Sequence, residues 1–177
     1  MLGRIKVWAS HRKIHKLKLT NSFNELFVAF LRIIFGKLVR GEKSRQLEEA
    51  FMSRFNVKKA MIFPHARIAL HFILKSMGLK EGDEVLMPPL TIADMVNSIH
   101  TLGLKPVFVD IELDTLCIDH EQLKKAITPR SKAVLITYIF GIVPDITKIK
   151  KIAQEHGLKI IEDCSQCFDA TYNGQKI

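Results

Sequence analysis

The run Ala133–Asp163, AVLITYIFGIVPDITKIKKIAQEHGLKIIED, decides how this chain folds. It opens with Ala133–Tyr138, an apolar stretch of strand length. Pro144 and Asp145 interrupt it, and Asp145 stands where a helix N-cap belongs. A helix-like run follows over Ile146–His156, Gly157 marks its stop, and Lys159–Glu162 reads as the next strand.

The same alternation extends upstream. Strand-like runs are Lys59–Phe63, Glu84–Met87 and Pro106–Val109. Helix-like runs are Arg67–Met77, Ile92–Leu102 and Glu121–Ile127. Asp119 is a second N-cap, with Gln122 at capping-box spacing, and Gly78 and Gly103 end helices. Strands alternating with helices predict an α/β domain: three αβα layers around a mostly parallel sheet, with ligands at the C-terminal ends of the strands. A helix over Ser44–Asn56, with Leu47, Ala50, Phe51 and Phe55 inward, leads into it. No internal repeat is visible.

Ahead of this lies a different composition. The chain of 177 residues carries a net charge of +9, and ten Lys/Arg against two Asp/Glu fall between Met1 and Lys43. The remainder has seventeen against sixteen. The basicity therefore belongs to the arm, and nucleic acid is not an expected partner of the domain. Within the arm Phe23, Leu26, Phe27, Phe30, Leu31, Ile34 and Leu38 recur at helical spacing. The expected organisation is a basic arm with an amphipathic helix over 1–40 and the α/β domain over 41–177. The arm's helix is expected to bury Phe27, Phe30 and Ile34 against protein, its own domain or a partner subunit; contact with an anionic membrane surface is the alternative. The apolar stretch Leu26–Phe35, broken by Arg32, is far short of the roughly 20 residues a membrane-spanning helix needs.

The start MLGRIKVWASHRK lacks the apolar core of a secretory signal, and three cysteines suggest no disulfide framework. A reducing, cytoplasmic setting is expected. Cys164-x-x-Cys167 could lower a thiol pKa or supply half a zinc site. Without a second pair, two small buried thiols and no metal are expected.

Two segments carry candidate chemistry. Phe63-Pro64-His65-Ala66-Arg67 is a turn into a helix, where backbone N–H groups bind phosphate and Arg67 can add a charge-assisted contact. Ile160-Ile161-Glu162-Asp163 delivers Asp163 to a strand end, where its carboxylate either caps the next turn or faces a ligand. Glu81-Gly82-Asp83-Glu84-Val85 reads as a turn feeding a strand.

Taken in order, these segments resemble the DegT–StrS family of sugar aminotransferases, which have the type I aminotransferase fold. The resemblance runs from about Gly41 to Gly174. It is carried by Leu47-Glu48-x-x-Phe51, Ala69-Leu70, Gly82-Asp83-Glu84-Val85, Pro88, Thr91, Pro106-Val107-Phe108-Val109-Asp110, Asp114-Thr115, Gly141, Pro144-Asp145, Glu162-Asp163-x-x-Gln166 and Tyr172-x-Gly174.

The resemblance implies the first part of a large aminotransferase domain holding pyridoxal 5'-phosphate (PLP). Asp163 would face the pyridine nitrogen, Gln166 the ring-oxygen side, and the His65-Ala66-Arg67 turn the phosphate. Ala66 stands where the family usually has Gly, Arg67 where it has Thr, and Tyr138 where His is common. Ile92 takes the place of an aromatic that stacks on the cofactor. The lysine that attaches the cofactor is expected beyond Ile177, Lys176 being too early, so the chain is read as a fragment inactive by itself. Implied substrates are a nucleotide-linked keto-sugar and an amino-acid donor, and the implied assembly is a homodimer. A non-catalytic binding or dimerisation module with this fold is the alternative.

Overall fold

The computed structural model describes residues 23–35 and 41–177. The chain divides into two compact units, Met1–Leu47 and Glu48–Ile177.

In the first unit, α1 (Phe23–Ile34) is amphipathic but buries no residue. Phe27, Phe30 and Ile34, expected to be buried against protein, are 51, 57 and 58% exposed among the described residues. Leu38 and the basic residues before Phe23 lie outside the described residues.

The boundary falls in α2 (Glu42–Phe55). Its buried residue is Glu48, which corrects the expectation that Leu47, Ala50, Phe51 and Phe55 turn inward. Leu47 and Phe51 are exposed, and Phe51 and Phe55 pack against the ring of Phe168, each at 5.9 Å between centroids.

The second unit contains a four-stranded parallel sheet of order β2-β1-β3-β4: β1 is Glu84–Met87, β2 Lys105–Phe108, β3 Ser131–Thr137 and β4 Lys159–Asp163. Between them run α3 (Ala66–Ser76, before β1), α4 (Ala93–His100), α5 (His120–Ala126) and α6 (Ile146–Glu155). A short antiparallel hairpin, β5 (Thr171–Tyr172) and β6 (Gln175–Lys176), ends the chain. Asn173 and Gly174 turn it with φ of 51° and 76°, the left-handed pair a two-residue hairpin requires.

Strand side chains alternate between the two faces of the sheet. Val85, Met87, Ala133, Leu135 and Ile161 pack with Leu70 and Leu74 of α3 and Met95 and Ile99 of α4. Leu86, Val134 and Ile136 pack on the opposite side with Leu123 of α5 and Ile149, Ile152 and Ala153 of α6. Both faces are covered, so β1 is buried at every position and β3 at all but Lys132. The three layers are thus α3/α4, sheet, α5/α6. The chain steps outward from β1 to β2 through α4, then crosses back to β3 through α5 on the other face. That reversal creates a switch point between β1 and β3, at whose C-terminal ends α/β folds place ligands.

The N-caps follow the sequence reading. Asp119 accepts from the N–H groups of Glu121 and Gln122, and Asp145 from that of Lys148. The run Lys59–Phe63 does not follow it: these residues are irregular and pair with no strand. Apolar residues alone do not make a strand, because its N–H and C=O groups need a ladder. Here the Ile62 N–H donates instead to the Glu48 carboxylate, at 3.0 Å.

Candidate functional site

Asp163 is the last residue of β4, and Ile161 two residues before it packs on the α3/α4 face. Period-two alternation puts Asp163 on that same face. Ala66 is the first residue of α3. The two line one cavity of about 870 Å³, within the size range of small-molecule sites. Met61, Leu135 and Ile161 contribute to its floor and walls, and Phe51, Phe55 and Phe168 form an aromatic side.

The start of α3 leaves backbone donors open. Its N-cap, His65, makes no side-chain capping bond. The first helical bonds run from the Ile68 and Ala69 N–H groups to the His65 carbonyl, so those of Ala66 and Arg67 are left pointing out of the helix end. Arg67 lies there too, with one guanidinium nitrogen 2.6 Å from the carboxylate of Asp94 in the first turn of α4. Asp94 was not legible as a partner of Arg67, because the two meet only through the packing of α3 on α4.

At the β4 end, one oxygen of Asp163 accepts from the Ser165 N–H at 3.1 Å. The carboxylate therefore caps the following turn and also faces the cavity; the two readings of this residue are compatible. Thr137 pairs with Asp163 in the ladder, ends β3 on the same face and is 6% exposed. Its hydroxyl has no hydrogen-bond partner. A buried orphan hydroxyl costs free energy unless something satisfies it; Thr137 stands beside Asp163 in the ladder but lies outside the cavity lining.

Gln166 accepts from the Phe140 N–H at 2.9 Å. It thereby holds the single 3-10 turn Ile139–Gly141, in which Phe140 takes the left-handed region with φ 55°. Gly141 is needed here: a Cβ would come within 3.2 Å of the Gln166 carbonyl. Ile92 is the N-cap of α4 and 60% exposed. Arg67, Ile92 and Gln166 lie outside the cavity lining; Ala66 and Asp163 share it.

Behind the site, Tyr138 is fully buried and donates its hydroxyl to Glu162 at 2.5 Å, while its N–H donates to the Asp163 carbonyl at 3.2 Å. Burial first, and then Glu162, push its phenol far above the ordinary value, so it stays a donor. It ties β3 to the segment that presents Asp163. Cys167 is in the core and Cys164 packs against it. Burial raises both thiols above their ordinary value, which disfavours the reactive thiolate. Tyr172 of the hairpin donates to the N-cap Asp145 at 2.9 Å, giving the Tyr-x-Gly segment a structural role.

A doubly wound parallel sheet, with a carboxylate ending β4 across one cavity from an uncapped helix start, defines the large domain of a type I aminotransferase-like fold. The chain belongs to the DegT/DnrJ/EryC1/StrS aminotransferase family, which it matches over residues 21–177. It is 35% identical over 138 residues to a GDP-perosamine synthase of Vibrio cholerae, covering 78% of this chain and 38% of that protein. Bacillus subtilis NtdA with bound cofactor PMP superposes with a TM-score of 0.77 at 30% identity, over 84% of this chain and 34% of its own. The E. coli GDP-4-keto-6-deoxy-D-mannose-3-dehydratase with bound hydrated PLP gives 0.76 at 28% identity, over 85% and 41%. The chain thus spans well under half the length of these relatives. No helix among the described residues is long and apolar enough to cross a membrane.

Proposed function

We propose that this chain forms the cofactor-cradling part of a PLP-dependent aminotransferase that acts on a nucleotide-linked keto-sugar with an amino acid as donor. The observation that carries the proposal is the shared cavity of Asp163 and the α3 start. The chemistry of the lining suits the cofactor: the Asp163 carboxylate for a ring nitrogen and the unpaired N–H groups at the start of α3 for a phosphate. When bound, the cofactor supplies an electron-accepting ring for amino-group transfer.

The chain's own residues then have distinct tasks. Asp163 keeps the ring nitrogen protonated and orients the ring. Ser165 fixes one carboxylate oxygen, leaving the other for the ligand. Ala66 and Arg67 anchor the phosphate. Ile92 covers a ring face without aromatic stacking. Gln166 holds the Ile139–Gly141 turn, and through its remaining amide hydrogens reaches the ring-oxygen side. Self-association as a homodimer in the cytoplasm belongs to this proposal, with the exposed apolar face of α1 as a surface for a protein partner to cover. Binding of the arm to anionic vesicles, lost at high salt, would favour lipid instead.

The test is a titration of the protein with PLP, followed by ring absorbance and fluorescence. Saturable binding that weakens about tenfold or more on Asp163→Ala supports the reading. Absence of binding favours a second reading, a non-catalytic module with this fold. Its motive is that Arg67 and Gln166 are already engaged by Asp94 and Phe140.

A further inference from the structure

Arg67 has a partner that nothing in its own helix supplies. Asp94 sits in the first turn of α4, and α4, like α3, begins without a side-chain cap. The two helix starts are held side by side by Ser98, whose hydroxyl donates to the Asp94 carbonyl at 2.8 Å and lies 3.3 Å from the Arg67 carbonyl. The Arg67 guanidinium at the start of α3 thus meets the Asp94 carboxylate at the start of α4.

The contact is a single one. One terminal nitrogen of Arg67 meets one oxygen of Asp94, at 2.6 Å, and the rest of the planar donor fork is not used by it. Both side chains are close to half exposed, so water screens the pair and little holds it together. A phosphate offers more: two negative charges and oxygens spaced for bidentate contact with the same fork. The carboxylate is also stabilised at α4's positive end, so it has reason to be there when Arg67 is otherwise occupied.

We propose that Asp94 is a built-in competitor for the phosphate end of the site. Its carboxylate holds Arg67 and neutralises its charge; a ligand phosphate takes over the guanidinium, and the strength of the competition sets how tightly the site accepts a phosphorylated ligand. This rests on the reading of the cavity as a PLP site and adds a residue that tunes its affinity.

The experiment compares PLP with pyridoxal, its unphosphorylated form, on the protein and its D94N, R67Q and R67Q/D94N variants, with circular dichroism and melting to confirm folding. D94N is expected to bind PLP roughly two- to tenfold more tightly, with a steeper fall in affinity as salt rises, and to leave pyridoxal unchanged. R67Q is expected to weaken PLP, and adding D94N to it to restore little, because Asp94 acts by holding Arg67. Weaker PLP binding by D94N would mean that Asp94 orients Arg67 for the ligand and would overturn the inference. So would an equal gain from D94N with and without Arg67, which is plain repulsion, or no effect at all. Failure of every variant to bind PLP would overturn the PLP reading as well, an outcome distinct from these three.

Discussion

The two ends of the parallel sheet are built in opposite ways. At the N-terminal end of β1, Glu84 is 2% exposed and saturated with partners. It accepts from Thr128 at 2.5 Å, from two nitrogens of Arg130 at 3.1 and 3.2 Å, and from Ser131 at 3.2 Å. At the C-terminal end, Thr137 has no partner, Asp163 has one oxygen engaged, and α3 begins uncapped. A buried polar group that is fully satisfied stabilises a fold; one left open invites a ligand. Polar residues of the same domain thus divide into a clasp and a site according to which end of the strands they occupy.

The largest effect expected from breaking this contrast is at the clasp. Glu84→Ala should cost about 2–3 kcal/mol in denaturant unfolding, since it removes the acceptor shared by Thr128, Arg130 and the buried Ser131. Asp163→Asn should cost less than about 1 kcal/mol, its single capping bond being conserved by the amide oxygen. Equal losses would erase the distinction. The clasp also carries a pH signature. The Thr128 hydroxyl, Arg130 and Ser131 outweigh burial and hold the Glu84 carboxyl below its ordinary value near 4.5. The unfolded chain then binds more protons than the folded one once pH falls to that value. Stability is fully present above it and is lost as pH drops through the lower folded-state value. Glu84→Gln should flatten this acid limb, seen as melting temperature against pH.

Legibility from sequence followed the same division. β1, β3, β4 and the N-caps Asp119 and Asp145 announce themselves locally, through apolar runs and side chains that reach two or three residues along the chain. That Asp163 ends a strand and Ala66 begins a helix was legible from the alternation, and such ends are where α/β folds hold ligands. What depended on distant partners was not legible. Lys59–Phe63 has a strand's composition but no ladder. Glu84 reads as part of a turn until Thr128, Arg130 and Ser131 arrive more than forty residues later. Asp94 and Thr137 acquire meaning only when α3 packs on α4 and β3 on β4.

A smaller effect is expected behind the site. Tyr138→Phe removes the bond to Glu162, leaves the apolar packing intact, and should cost about 1–2 kcal/mol. Because burial and Glu162 raise the Tyr138 phenol, the folded protein keeps that proton where the unfolded chain loses it, so this contribution fades as pH rises through the ordinary tyrosine range. An alkaline titration of tyrosine absorbance should show Tyr138 silent until the protein unfolds.

The smallest effect sharpens the contrast most. Thr137→Val keeps the shape of the side chain and removes a hydroxyl with nothing to bond. Stability should stay the same or rise by up to about 1 kcal/mol, whereas a hydroxyl serving the fold would cost that much to delete. PLP affinity should fall a few-fold in the same variant. A loss of stability with unchanged ligand binding would move Thr137 from the site to the scaffold.

In the proposed site Asp163 faces the ring nitrogen of a cofactor whose phosphate lies at the start of α3. Nitrogen-15 NMR of ring-labelled PLP bound to the protein tests it directly. A protonated ring nitrogen is expected in the wild type and an unprotonated one in Asp163→Asn at the same pH. Identical chemical shifts in the two proteins would contradict it, because the carboxylate would then have no part in holding that proton.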